Sequence, residues 1–109
     1  MTNYSLEPSA MFAALSDASR CSIVERLCQG PATVSELGAP LKLSMPTLLQ
    51  HLRVLESSGL ISSTKAGRVR TCRLEPEALA RAEEWIRSRR AAWAGTLARL
   101  DRYLTDEDP

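Results

Sequence analysis

The sequence predicts a mainly α fold with a small β-hairpin wing: a winged helix-turn-helix of about five helices, the last of them long. Three observations predict it. A short capped segment, "TVSELGAP", is followed after a tight connection by a longer amphipathic one, "SMPTLLQHLRVLESSGL". After Gly59 the apolar pattern changes, and "LISSTKAGRVRTCRL" is rich in Ile, Val and Thr around a central Gly67. From Pro76 a near-heptad apolar stripe then runs to Leu104.

The chain has 109 residues, which suits one domain with a modest core, so residues 1–109 are expected to fold as a unit. Its net charge is +1, so no global excess of positive charge points to a polyanion. Local charge differs. Between Lys42 and Arg73 six cations face Glu56 alone, a local +5, whereas the tail from Asp101 sums to −3. No stretch approaches ~20 apolar residues, so no membrane span is expected. The start, "MTNYSLEPSA", lacks the basic end and apolar run of a secretion signal. Three cysteines without framework spacing suit a reducing cytoplasm, the expected location.

Each element follows from local signals. "PSAMFAALS" reads as a short first helix with Met11, Phe12 and Leu15 on one face. Asp17 caps a second, "ASRCSIVERLCQ", with Ile23, Val24, Leu27 and Cys28 inward, ended by Gly30-Pro31. Thr33 with Glu36 three residues on is a capping box. It starts a third helix of about two turns, stopped by Gly38 and Pro40. Ser44 caps the fourth helix, Pro46 stands in its first turn and Gly59 follows its end. The helix-turn-helix therefore covers about 33–57. A hairpin wing follows at about 60–74, with one strand near 60–65, a turn around Gly67 and a second strand near 69–74. The last helix, about 76–104, carries Leu79, Ile86, Trp93, Leu97, Leu100 and Leu104 at spacings of 7, 7, 4, 3 and 4. The final "TDEDP" is expected to fray.

The fourth helix has two edges. Leu48, Leu52 and Leu55 form a narrow apolar stripe that docks it on the domain. Thr47, Gln50, Arg53 and Ser57 lie on the flank or the opposite face. In a winged helix this second helix enters the major groove, and the wing lies over the adjacent backbone. Gln reads adenine and Arg reads guanine through paired hydrogen bonds. The partner expected from this arrangement is double-stranded DNA. The candidate contact residues are Ser44, Met45, Thr47, Leu49, Gln50 and Arg53 on the helix, and Lys65, Arg68 and Arg70 on the wing.

"FAALSDASRCSIVERL", "VSELGAPLKLSMPTLLQHLRVLESSGLI" and "AGRVRTCRLEP" resemble the arsenic-repressor (ArsR) type of bacterial winged-helix regulators, from about Phe12 to Pro76. The resemblance implies a homodimeric repressor on an imperfect inverted repeat. Two features depart from the family pattern. Much of the family has small polar residues where this chain has Met45 and Leu49, which suit thymine methyls or a protein partner. The metal-sensing members carry a cysteine pair in the first helix of the motif, or Asp and His ligands in the last helix. "TVSELGAP" has no cysteine, and the long helix has neither cysteine nor histidine. No metal site and no cofactor are therefore expected. The chain is most similar to the branch with an extended, tryptophan-bearing final helix.

Cys21 and Cys28 lie seven residues apart, about two turns or ~10 Å, too far for one disulfide or one ion without a third group such as Cys72. They are read as small buried hydrophobes, with redox or thiol sensing through Cys21, Cys28 and Cys72 as the alternative. His51, the single histidine, is expected to bond a neighbouring backbone group. One histidine, no paired carboxylates in an apolar setting and no phosphate loop leave little for an enzyme to use. A homodimer interface is expected from Met11, Phe12 and Leu15 against Ile86, Trp93, Leu97, Leu100 and Leu104. The rival function is a winged-helix module that binds protein through Met45 and Leu49. The operator, the regulated genes and any inducer are not legible in the residues.

Overall fold

The computed structural model describes residues 8–106. The expectations placed on the first seven residues, and on the acidic end at Glu107 and Asp108, lie outside them. The elements run α1 (Pro8–Ala14), α2 (Ala18–Leu27), β1 (Ala32–Thr33), α3 (Val34–Gly38), a 3-10 turn (Ala39–Leu41), α4 (Met45–Ser57), β2 (Ile61–Ala66), β3 (Val69–Leu74) and α5 (Pro76–Asp106). This is a winged helix-turn-helix.

The helices start where side chains satisfy their free amides. Asp17 accepts from the Arg20 amide at 3.1 Å, and Ser44 from the Thr47 amide at 3.4 Å. Thr33 and Glu36 form both bonds of the capping box, at 2.9 and 3.2 Å. The core gathers one face of each element. Ile23, Val24 and Leu27 of α2 meet Leu37, Leu48, Leu52, Leu55, Leu60, Ile61 and Cys72, with Ala78 and Ala82 from the start of α5.

Three local expectations are corrected, and the turn expected around Gly67 is found there. The sheet has three strands, in the order β1-β3-β2, with Ala32 opposite Cys72 and Thr33 opposite Thr71. A two-residue strand is too short to carry a period, and only pairing with β3 defines it. α3 ends at Gly38 as expected, but Gly38 does not break the helical path, which goes on as a 3-10 turn. The glycine is helical (φ −80°, ψ −28°), and the chain continues through Pro40 to Lys42 at φ +54°. Proline is tolerated there because the first turn of a helical segment needs no amide from it. A Cβ at Gly38 would lie 2.6 Å from Leu48 Cδ2, so glycine lets α3 approach α4 closely. Cys28 is exposed rather than inward, because α2 ends one residue before it. The hairpin turn is Gly67-Arg68, with Ala66 opposite Val69 and Gly67 at φ +63°.

α5 has two parts. Its first turns lie on the domain, where Phe12 of α1 meets Trp85 edge to face at 5.4 Å and Arg89 stacks 4.9 Å above the same ring. Beyond that, the stripe faces solvent: Trp93 is 61% exposed, Leu97 46%, Leu100 52% and Leu104 59%. The helix has 31 residues, about 46 Å at ~1.5 Å each, and stretches the molecule to 75 × 34 × 22 Å. Met11, expected on a dimer face, is 0% exposed within its own core. α1 tucks under α4, so Met11 has no surface to offer a second chain, whereas Phe12 and Leu15 keep part of theirs.

Candidate nucleic-acid interface

The interface is built on α4. Leu48, Leu52 and Leu55, each at most 2% exposed, pin its inner edge. The side chains of Ser44, Met45, Thr47, Gln50 and Arg53 are exposed on the other edge, and Leu49 is half-buried between the two. A helix of 13 residues is about 20 Å long and ~10 Å across, dimensions that a major groove accepts.

The outer edge is ordered by its own hydrogen bonds. The Ser44 hydroxyl donates to the Thr47 hydroxyl at 2.9 Å. Arg53 Nη2 donates to Gln50 Oε1 at 2.6 Å, so the two candidate readers form one bonded pair. The guanidinium keeps its remaining donors free for a guanine edge or a phosphate.

The wing stands beside this helix. Between them lies an open groove of about 630 Å³, lined by Met45 and Leu49 on the helix side and by Lys65, Arg68, Val69 and Arg70 on the wing side. Met45 and Val69 are each about half exposed, so the groove has an apolar wall beside its cations. Lys65 and Arg68 are exposed and, like Lys42 and Arg53, form no ion pair among the described residues.

Arg70 behaves differently. Its Nε donates to Ser63 Oγ at 2.9 Å and its Nη2 donates to Glu56 Oε1, while Ser63 Oγ donates to the same Glu56 oxygen at 2.8 Å. Both charged side chains are about two-thirds buried. Glu56 and Ser63 escaped the sequence reading, though two signals for them were present. Glu56 is the one acid in the basic stretch. Arg70 stands two residues before buried Cys72, which in a strand puts it on the inward face.

A second network anchors the helix from behind. The Arg20 guanidinium, a donor only, meets His51 Nδ1 at 3.1 Å and donates from Nε to the Ala14 carbonyl at 2.6 Å. His51 Nε2 lies 3.9 Å from Asp17 Oδ2. The expectation of a backbone partner for His51 is corrected: its partners are side chains of α2 and its cap. The Asp17 carboxyl is held below its ordinary range, chiefly by the Arg20 amide, with help from His51 and Arg20.

The three cysteines occupy three environments. Cys21 Sγ donates to the Leu15 carbonyl at 2.9 Å, Cys28 is exposed and Cys72 is buried in β3. Burial pushes the Cys72 thiol up, away from the reactive thiolate. Among the described residues, no three His, Cys, Asp or Glu side chains come together as a metal cage. No described helix is long and apolar enough to cross a membrane.

Residues 17–63 match the family model for bacterial regulatory proteins of the arsR family. The HTH-type transcriptional regulator Rv2034 of Mycobacterium tuberculosis is 42% identical over 73 residues, covering 67% of this chain and 68% of that protein. The crystal structure of an ArsR family transcriptional regulator superposes with a TM-score of 0.75 at 41% identity, over 79% of this chain and 89% of that one. An ArsR-like transcriptional regulator from Rhodococcus sp. RHA1 gives 0.78 at 29% identity, over 87% and 90%. With its docked α4, its basic wing and these relatives, the chain belongs to the ArsR family of DNA-binding bacterial transcriptional regulators.

Proposed function

We propose that the chain acts in the bacterial cytoplasm as a homodimeric repressor. Each copy lays α4 into one half of an inverted-repeat operator in double-stranded DNA. One observation carries this: beside the exposed edge of α4 runs a groove walled by Met45 and Leu49, and its far side holds Lys65 and Arg68, wing cations that have no ion-pair partner among the described residues. Gln50 and Arg53 read base edges, and Thr47 and Ser44 fix the helix at the backbone. Met45 and Leu49 meet thymine methyls, and Lys65 and Arg68 neutralise phosphates. The copies join through the exposed stripe of α5, with Phe12 and Leu15 at its base. No enzymatic step and no cofactor enter this function. It also uses no metal: zinc or arsenite added under reducing conditions leaves DNA binding unchanged. Release of DNA by either ion, abolished in Cys21→Ser or Cys72→Ser, would replace this with a thiol-sensing regulator.

Selection of bound sequences from a random DNA pool tests the proposal. The expected product is a two-fold repeat with half-sites about one helical turn, ~34 Å, or a small multiple of it apart. Unenriched pools would overturn sequence reading. An affinity that ignores salt would favour a protein partner for the Met45 side instead, since phosphate contacts release counterions and an apolar contact does not.

A further inference from the structure

We infer that Arg70 is a strut between recognition helix and wing, held there by Glu56 and Ser63, and that Arg68 and Lys65 carry the wing's phosphate contacts without it. The inference rests on the DNA-binding function proposed above and assigns Glu56 a positioning role within it. Three observations support it.

The first is direction. Cys72 is fully buried, and Arg70, two residues before it on β3, shares its face. That face looks at α4, where Glu56 occupies the last turn. Arg68 lies in the hairpin turn and is exposed.

The second is prior engagement. Arg70 uses Nε and Nη2, and Ser63 closes the triangle by bonding both partners. Three N–H donors remain, but the triangle fixes their direction, and turning the guanidinium out to a phosphate would exchange one charge-assisted pair for another. It would also leave a largely buried carboxylate without its cation, turned toward a polyanion. The exchange gains nothing.

The third is register. Lys65 stands directly opposite Arg70. Like charges in that position repel, and Glu56 relieves the repulsion by taking Arg70, which leaves Lys65 exposed on the same face without an ion pair among the described residues. Of the local cations, the one nearest the lone acid is thereby spent on geometry, fixing how far the wing stands from the helix it flanks.

The test is the salt dependence of DNA affinity, on a selected operator and on random duplex. The double variant Glu56→Gln with Arg70→Gln removes both charges and keeps the net charge. Its salt slope should equal the wild type's. Operator affinity should fall roughly threefold to tenfold with random duplex unaffected, the size of a typical coupled pair. Arg68→Gln, by contrast, should flatten the slope by about one unit on both DNAs. A slope that falls by about one unit in the double variant would overturn the strut and make Arg70 a phosphate ligand. Arg70→Lys decides the matter if the double variant does not fold. Lysine keeps the charge but not the fork that meets Ser63 and Glu56 together. A strut predicts the same loss of operator preference with lysine, and wild-type binding by the lysine variant would overturn it. A wild type insensitive to salt on every duplex would overturn the DNA function itself, a failure distinct from that of the strut.

Discussion

The domain body and the outer part of α5 treat the same kinds of residue in opposite ways. In the body, Leu48, Leu52, Leu55 and Leu60 are each at most 2% exposed. On α5, Leu97, Leu100 and Leu104 are about half exposed, and Trp93 and Tyr103 reach 61%. The two tryptophans repeat the contrast over eight residues. Trp85 has Phe12 and Arg89 against its ring, whereas Trp93 stands in water. The radius of gyration, 19.4 Å, exceeds the ~13 Å of a compact chain near this length because the helix leaves its own body behind. The body has enough surface to close a core. The outer helix has an apolar stripe that nothing among the described residues covers, which is why a second copy belongs to the proposed function.

The largest expected effect comes from destroying the stripe. Trp93→Glu with Leu97→Glu removes two apolar side chains from each copy, at roughly 1.5–3 kcal/mol apiece. The dimer should split and operator binding should go with it, while the far-ultraviolet signal of the body persists. Light scattering showing the wild type as a monomer at micromolar concentration would end the proposal. In a Trp85→Phe background, the fluorescence of Trp93 should shift to the red on dilution as the interface opens.

A core substitution sharpens the contrast. Leu52→Ala should cost about 2–5 kcal/mol of stability, because a fully buried leucine leaves a cavity. Leu100→Ala should cost less, and its cost should depend on protein concentration. Melting curves at two concentrations separate them, and equal behaviour would mean that α5 is not an interface.

On the reading edge, Gln50→Ala or Arg53→Ala should each cost about 1–3 kcal/mol on the preferred site and relax the preference there. Because the two side chains share a 2.6 Å hydrogen bond, the double variant should cost less than the sum. A uniform loss on all sequences would reduce both to backbone contacts.

The smallest effect is in acid and is confined to the body. The carboxyls of Asp17 and Glu36 are both held below their ordinary range, each chiefly by a backbone amide at a helix start. The stability they contribute is present above the ordinary value, ~4, and is lost as pH falls through the lowered ones. Asp17→Asn keeps a capping acceptor without the titration, so its melting temperature should fall less steeply below pH ~4. Parallel pH profiles would mean that Asp17 carries none of the loss.

Much of this molecule is local in origin. Asp17, Thr33 with Glu36, and Ser44 each begin a helix because a side-chain oxygen meets an amide three residues on, an interaction that needs no distant partner. The Leu48/Leu52/Leu55 stripe follows from the helical period, and with it the outward placement of Gln50 and Arg53. These local rules made the ArsR resemblance, the recognition helix and the length of α5 legible in the amino-acid sequence.

Other features exist only once distant segments meet. β1 is a strand because β3 is there to pair with it. Met11 could have faced a partner or a core, and the approach of α1 to α4 put it in the core. Gly38 serves a close contact with Leu48 that no neighbouring residue announces. His51 finds Arg20 across 31 residues of chain, and Glu56 finds Arg70 across 14. Charge counting along the sequence treats the six cations alike. Only the tertiary structure separates Arg70, turned inward beside an acid, from Arg68 at the turn, because side-chain direction and burial, not charge itself, determine what a cation can touch.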